Sequence, residues 1–179
     1  MGNVEVMRRG DVQLTSAGTG IRHSEMTHGK DPVHFLQIWS LPSTRGLPPK
    51  YYARHFTDES KRLGWAPVVG KAGDEGVSDA REGEGPTPVH TPLYLYATLL
   101  APGKTVQHNL KMSKGYLHVV QTSGYNTEAS KGNKIKVNGG LELSEGDGAF
   151  VTRTGDPGET VTVENIGEGE AELLLFDLE

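Results

Sequence analysis

The chain has 179 residues, enough to bury a core that stands without disulfides or a structural metal. It contains no cysteine, which excludes disulfide frameworks, thiolate nucleophiles, zinc ribbons and iron–sulfur clusters and leaves His, Asp and Glu as the available metal ligands. Eighteen Lys plus Arg against 23 Asp plus Glu give a net charge of −5, the wrong sign for direct nucleic-acid binding, and no run approaches the roughly 20 apolar residues of a membrane span.

The first nine residues lack the apolar stretch of a secretory signal, so the sequence reads as intracellular and cytoplasmic. Glycine (24) and proline (10) punctuate the chain into short runs of β-branched, Leu and aromatic residues. In chain order the predicted strands are residues 4–8, 12–16, 21–27, 35–41, 66–69, 93–100, 105–110, 116–122, 134–137, 141–143, 148–152, 161–165 and 171–177. The one predicted helix is a turn or two over residues 58–63, with Thr57 or Asp58 as N-cap and Gly64 just past its end. The stretch 70–90 has few large apolar residues and many charges and reads as an exposed acidic loop. It separates a first segment, residues 1–69, from a run of strands over residues 91–179. The expected fold is therefore all-β, in the sandwich or barrel class.

Gly10-Asp11 and Gly146-Asp147 each precede one strand and a returning glycine, a weak internal repeat. It fits either two related barrels or a hairpin turn used twice. Residues 145–179 set ten acids against Arg153, a net −9 that leaves +4 for the rest, and predict an acidic, solvated C-terminal face.

The densest group of site-like residues is Ile21-Arg22-His23-Ser24-Glu25-Met26-Thr27-His28. In an extended strand, residues i and i+2 share a face, so His23 and Glu25 project together. An imidazole beside a carboxylate is half of a sulfur-free site for a divalent ion, and equally the makings of a surface hydrogen bond. His28 falls out of phase with His23. His55 reads as a surface or capping residue, and His90 as the entry to a strand. His108 has no His or Glu two residues on. Met26, Phe35 and Trp39 read as core residues rather than as a pocket wall.

The run Gly10-Asp11-Val12-Gln13-Leu14-Thr15-Ser16-Ala17-Gly18-Thr19-Gly20-Ile21-Arg22-His23-Ser24-Glu25 resembles the signature of the pirin family within the cupin superfamily. The likeness continues through Phe35-Leu36-Gln37-Ile38-Trp39-Ser40-Leu41-Pro42 and Arg45-Gly46-Leu47-Pro48-Pro49-Lys50-Tyr51-Tyr52 and returns at Ala171-Glu172-Leu173-Leu174-Leu175-Phe176-Asp177-Leu178. It is closest to the quercetinase-like branch of bacterial pirins. The resemblance implies a bicupin, two double-stranded β-helix barrels, with one metal, usually Fe(II), in the N-terminal barrel. It places His23 and Glu25 on the last two of four ligands and implies dioxygen-dependent cleavage of a flavonol or related polyphenol, with Glu25 as catalytic base. Other family members act with protein partners as nuclear cofactors.

The family's upstream His-x-His pair has no counterpart, since no two histidines here are separated by one residue. The expected architecture is thus an incomplete, shortened N-terminal barrel beside a complete C-terminal one. Two protein ligands hold a first-row ion weakly, so low occupancy by Fe(II) or another divalent metal is expected. Unpaired strand edges predict a homo-oligomer, by dimerisation or strand exchange. A non-catalytic binding or regulatory module, or a shortened metal-free form, is the alternative reading.

Overall fold

The computed structural model describes residues 4–124, 128–152 and 159–179. Its elements are β1 (Asp11–Ser16), β2 (Lys50–His55), α1 (Asp58–Arg62), β3 (Ala66–Lys71), β4 (Thr87–Val89), β5 (Leu93–Leu100), β6 (Thr105–Asn109), β7 (Lys114–Val119), β8 (Lys134–Val137), β9 (Leu141–Ser144), β10 (Gly148–Thr152), β11 (Thr160–Asn165) and β12 (Ala171–Leu178). The protein is nearly all β, as the punctuation of the sequence predicts.

Two layers, antiparallel except for the β3–β4 pair, carry the C-terminal half. A six-stranded sheet runs in the order β10-β7-β12-β5-β3-β4, and a four-stranded sheet in the order β6-β11-β8-β9. Strict alternation explains how they pack. On β12, residues 171, 173, 175 and 177 are buried while 172, 174, 176 and 178 are partly exposed, so one face of the strand meets the core and the other looks outward. The core between the layers gathers Leu110, Leu117, Val119, Ile135, Val161, Val163, Leu173 and Leu175, each almost fully buried. A second core lies on the outer face of the six-stranded sheet, where Leu93, Leu95, Val68 and Val69 meet Val12, Leu14 and Phe56 from the N-terminal part.

That N-terminal part is a two-stranded ribbon, β1 against β2 in unbroken antiparallel register from Asp11 opposite His55 to Ser16 opposite Lys50. Its turn chemistry repeats. Asp11 accepts a hydrogen bond from the Arg8 amide (2.6 Å) and Asp147 one from the Ser144 amide (2.8 Å), with Gly10 (φ +86°) and Gly146 (φ +88°) in the matching left-handed position. Gly10 and Gly146 therefore build the same turn, which is the physical content of the sequence repeat.

Three predicted strands do not form. Residues 4–8, 21–27 and 35–41 run without strand pairing, and most of residues 17–49 lie exposed, including Met26 (92%), Phe35 (60%) and Trp39 (87%). These three are not core residues. A strand is completed by hydrogen bonds to a neighbouring segment, and among the described residues β1 pairs with β2 alone, so apolar alternation in 35–41 finds no ladder there to join. The segment is fastened at its far end, where Ser43 N donates to His90 O (2.7 Å) and Thr91 Oγ1 to Leu41 O (2.9 Å).

Two strands went unpredicted. β2 follows a Pro-Pro pair, and β4 emerges from the stretch read as an exposed acidic loop: Thr87, Pro88 and Val89 are buried and pair in parallel with β3. The short helix forms as its capping residues predict, with Thr57 Oγ1 accepting from Ser60 N (3.1 Å) and Gly64 at φ +144° beyond the C-cap Leu63. The acidic C-terminal segment meets the basic residues of the first half through Arg9–Glu172 (2.8 Å) and Arg62–Glu170 (2.7 Å).

Candidate functional site

His23 and Glu25 lie on the exposed segment that leaves β1. His23 makes no hydrogen bond among the described residues. Glu25 is held by one: the Gln13 side-chain amide donates from Nε2 to Glu25 Oε1. Behind Gln13 stands Tyr51, whose hydroxyl donates to Glu5 Oε2 (2.6 Å) and lies 3.3 Å from Gln13 Oε1. Arg81 lies over the Tyr51 ring, 5.6 Å from its centroid, and also pairs with Glu5. Burial, followed by the bond to Glu5, pushes the Tyr51 hydroxyl well above the ordinary phenol range, so it remains a protonated donor.

The donor set has the right chemistry for a borderline divalent cation, one imidazole and one carboxylate two residues apart. In number it is half a site: among the described residues no group of three or more His, Asp or Glu is placed to hold a metal ion. In donor type, though not in number, the two residues suit such an ion.

The concave features lie elsewhere. A cleft of about 430 Å³ opens along β2, lined in part by Glu5, Asp11, Arg54, His55 and Glu82. In it His55 Nδ1 meets Asp11 Oδ1 at 2.6 Å, so this histidine is neither a free surface group nor a cap. Arg54, only 4% exposed, donates to the carbonyls of Ala53, Ser78, Ala80 and Arg81 and leaves Nε without a partner. It pins the 78–81 turn to β2. A second cleft, about 320 Å³, is bordered by Lys50, Asp79 and His90.

His108 has a partner that local spacing does not show. Its Nε2 lies 3.4 Å from Oδ2 of Asp177, 69 residues away, and its ring packs on Tyr96 (centroids 4.3 Å apart) and edge-on to Trp65 (6.4 Å). Asp177, fully buried, also accepts from the Lys111 and Met112 amides (2.7 and 2.9 Å). Burial alone raises its pKa; the His108 contact and the two amides outweigh that and hold it below the ordinary value. The Tyr96 hydroxyl is pushed up to about 12, first by burial and then by the Asp177 charge. Glu145 does a similar task elsewhere in this half, accepting from the amides of Thr122, Ser123 and Asn133 and from the Thr122 hydroxyl. Aromatic and aliphatic neighbours enclose the His108–Asp177 pair, which fits a structural clasp between β6, β12 and the 110–113 turn.

Three comparisons bear on what this arrangement belongs to. The family model described as Pirin matches residues 1–40, the stretch that contains Gln13, His23 and Glu25. Over 181 aligned residues the chain is 30% identical to the quercetin 2,3-dioxygenase of Escherichia coli (strain K12), covering 99% of this chain and 65% of that protein. Over 152 residues it is 32% identical to a putative quercetin 2,3-dioxygenase of Mycobacterium bovis, covering 84% of this chain and 54% of the relative. The chain thus spans between about half and two thirds of the length of these curated relatives. Among solved structures it is similar in fold to YhhW from Escherichia coli, with a TM-score of 0.54 at 22% identity over 77% of this chain and 47% of that one. It is similar likewise to the bacterial pirin YhhW in complex with nickel(II), at a TM-score of 0.53.

Proposed function

The chain belongs to the pirin family and has its cupin fold, and from that premise we propose that it is a metal-holding part of a quercetin 2,3-dioxygenase-type protein, in which His23 and Glu25 are two of the ligands. The observation that carries this reading is the His23/Glu25 pair inside the matched stretch, with Glu25 already oriented by Gln13. Relatives bearing the quercetinase name and a nickel-bound pirin of the same fold support it.

A bound Fe(II) or other divalent ion would supply Lewis acidity toward the hydroxyl and carbonyl oxygens of a flavonol-type polyphenol and toward dioxygen. The chain's own residues bind and handle protons. His23 supplies a neutral imidazole. Glu25 is the base that takes the substrate hydroxyl proton. With two ligands from the described residues, the remaining positions belong to donors outside them, from further chain or a second protomer. The reading is tested by anaerobic reconstitution with ferrous iron or nickel followed by elemental analysis. Measurable metal in the wild type that falls at least tenfold in His23→Ala is expected; wild-type metal content in that variant would sink the assignment.

A second reading, a binding module that works without metal, is favoured by the exposed apolar run from Val33 to Leu41. It predicts that chelation leaves partner association unchanged, whereas Trp39→Ser weakens it.

A further inference from the structure

We infer that Gln13 is a positioning residue for Glu25, holding one carboxylate oxygen so that the other is presented alone to a divalent cation; this rests on the metal reading given above. Three observations lead there. First, Gln13 and Tyr51 stand on paired strands, since Gln13 opposes Ala53 and Thr15 opposes Tyr51, which makes the two side chains diagonal neighbours on one face of the ribbon. Second, the amide has one chemically consistent orientation. Its NH₂ faces a carboxylate; turned over, it would set carbonyl oxygen against carboxylate oxygen. Third, among the described residues between Gly18 and Trp39, the Gln13–Glu25 bond is the one side-chain hydrogen bond to the rest of the protein, beside a local turn in which the Gly20 amide donates to the Ala17 carbonyl.

An exposed Glu has three side-chain torsions and loses rotamer freedom when a ligand fixes it. A partner already fixing the carboxylate removes part of that loss before the cation arrives. Gln13 is itself well based. It is carried on a strand in unbroken register, and Tyr51 behind it is held by Glu5 and by the Arg81 guanidinium. Glu25 makes no second hydrogen bond among the described residues, so its Oε2 is the oxygen left for the ion.

A mere tether for the segment would account for the same bond, and a double-mutant cycle separates the two. Nickel(II) chloride is titrated calorimetrically into the full chain, the Gln13→Leu and Glu25→Gln variants and the double variant, with thermal melts alongside. Positioning predicts that Gln13→Leu weakens nickel binding about tenfold with little change in melting temperature, and that it adds nothing on the Glu25→Gln background. In a tether, Gln13 still reaches the amide oxygen of the Glu25→Gln variant, so Gln13→Leu would lower affinity equally on both backgrounds; that result overturns the inference. If Glu25→Gln weakens binding while Gln13→Leu does not, the inference fails and the metal reading stands. If the wild type takes no nickel, or Glu25→Gln leaves its binding unchanged, the metal reading fails and the inference with it.

Discussion

Asp177 is a buried charge whose partners are two backbone amides and one imidazole, and the sign of its shift sets an acid limb on stability. Its folded pKa lies below the unfolded value of about 3.9, so its contribution is complete above that value and is lost as pH falls through the lower, folded one. Chemical denaturation from neutral pH down to about pH 2 is expected to show a stability loss in the wild type that Asp177→Asn reduces. At neutral pH the same variant should cost roughly 2–3 kcal/mol, because Lys111 and Met112 lose a charged acceptor in a buried position. An acid limb unchanged in Asp177→Asn would show that other carboxylates govern it. The sequence displays His108 but conceals its partner. Strand alternation relates residues two apart, and the acid lies 69 residues away on another sheet. Arg54 was equally hidden, since its acceptors lie at Ser78, Ala80 and Arg81 and none is a side chain. His23 and Glu25 are marked by an i, i+2 pattern that presumes a strand, and residues 21–27 form none.

At the scale of elements, β1 with its flanking glycines and the helix rest on signals the sequence states openly. Gly18 must be glycine: it has φ +54°, and a Cβ there would stand 2.0 Å from the Leu47 carbonyl oxygen. Gly18→Ala is expected to cost about 2 kcal/mol or more in urea unfolding, from left-handed strain together with the displaced 47–48 backbone. A loss below 0.5 kcal/mol would mean that the two crossing segments relax apart freely. Thr57, Ser60 and Gly64 likewise fulfil their capping roles because a cap is made within four residues of chain. Residues 21–27 and 35–41 show where such reasoning stops. Their alternation is strand-like, yet strand pairing is supplied by another segment, and none is beside them.

For the whole molecule, apolar residues divide into two populations that composition cannot separate. Leu173 is fully buried between the sheets, whereas Trp39 and Phe35 stand in solvent. Leu173→Ala should cost about 3 kcal/mol, while Trp39→Ser and Phe35→Ser should change stability by less than about 0.5 kcal/mol and reduce binding of a hydrophobic dye. A large loss of stability in the Trp39 variant would place that ring in a packed interface in solution. The charge asymmetry has its answer at this scale too. Arg9 and Arg62, from the basic first half, reach Glu172 and Glu170 of the acidic second half, although as partly exposed, solvent-screened pairs they contribute little each.

The sequence by itself determined the all-β class, most strands of the C-terminal half, the helix caps and the Gly-Asp turn. Each of these depends on neighbours a few residues away, through side-chain alternation, left-handed glycines and side-chain-to-backbone bonds. Only the tertiary structure decided which apolar runs became strands, that β3 and β4 join the sheet of the C-terminal half, and that Gln13, His108 and Arg54 meet Glu25, Asp177 and the 78–81 carbonyls. The reason is that a sheet's hydrogen bonds and a buried polar group's partners come from segments distant in the chain, so local pattern shows the need for a partner without showing which residue meets it.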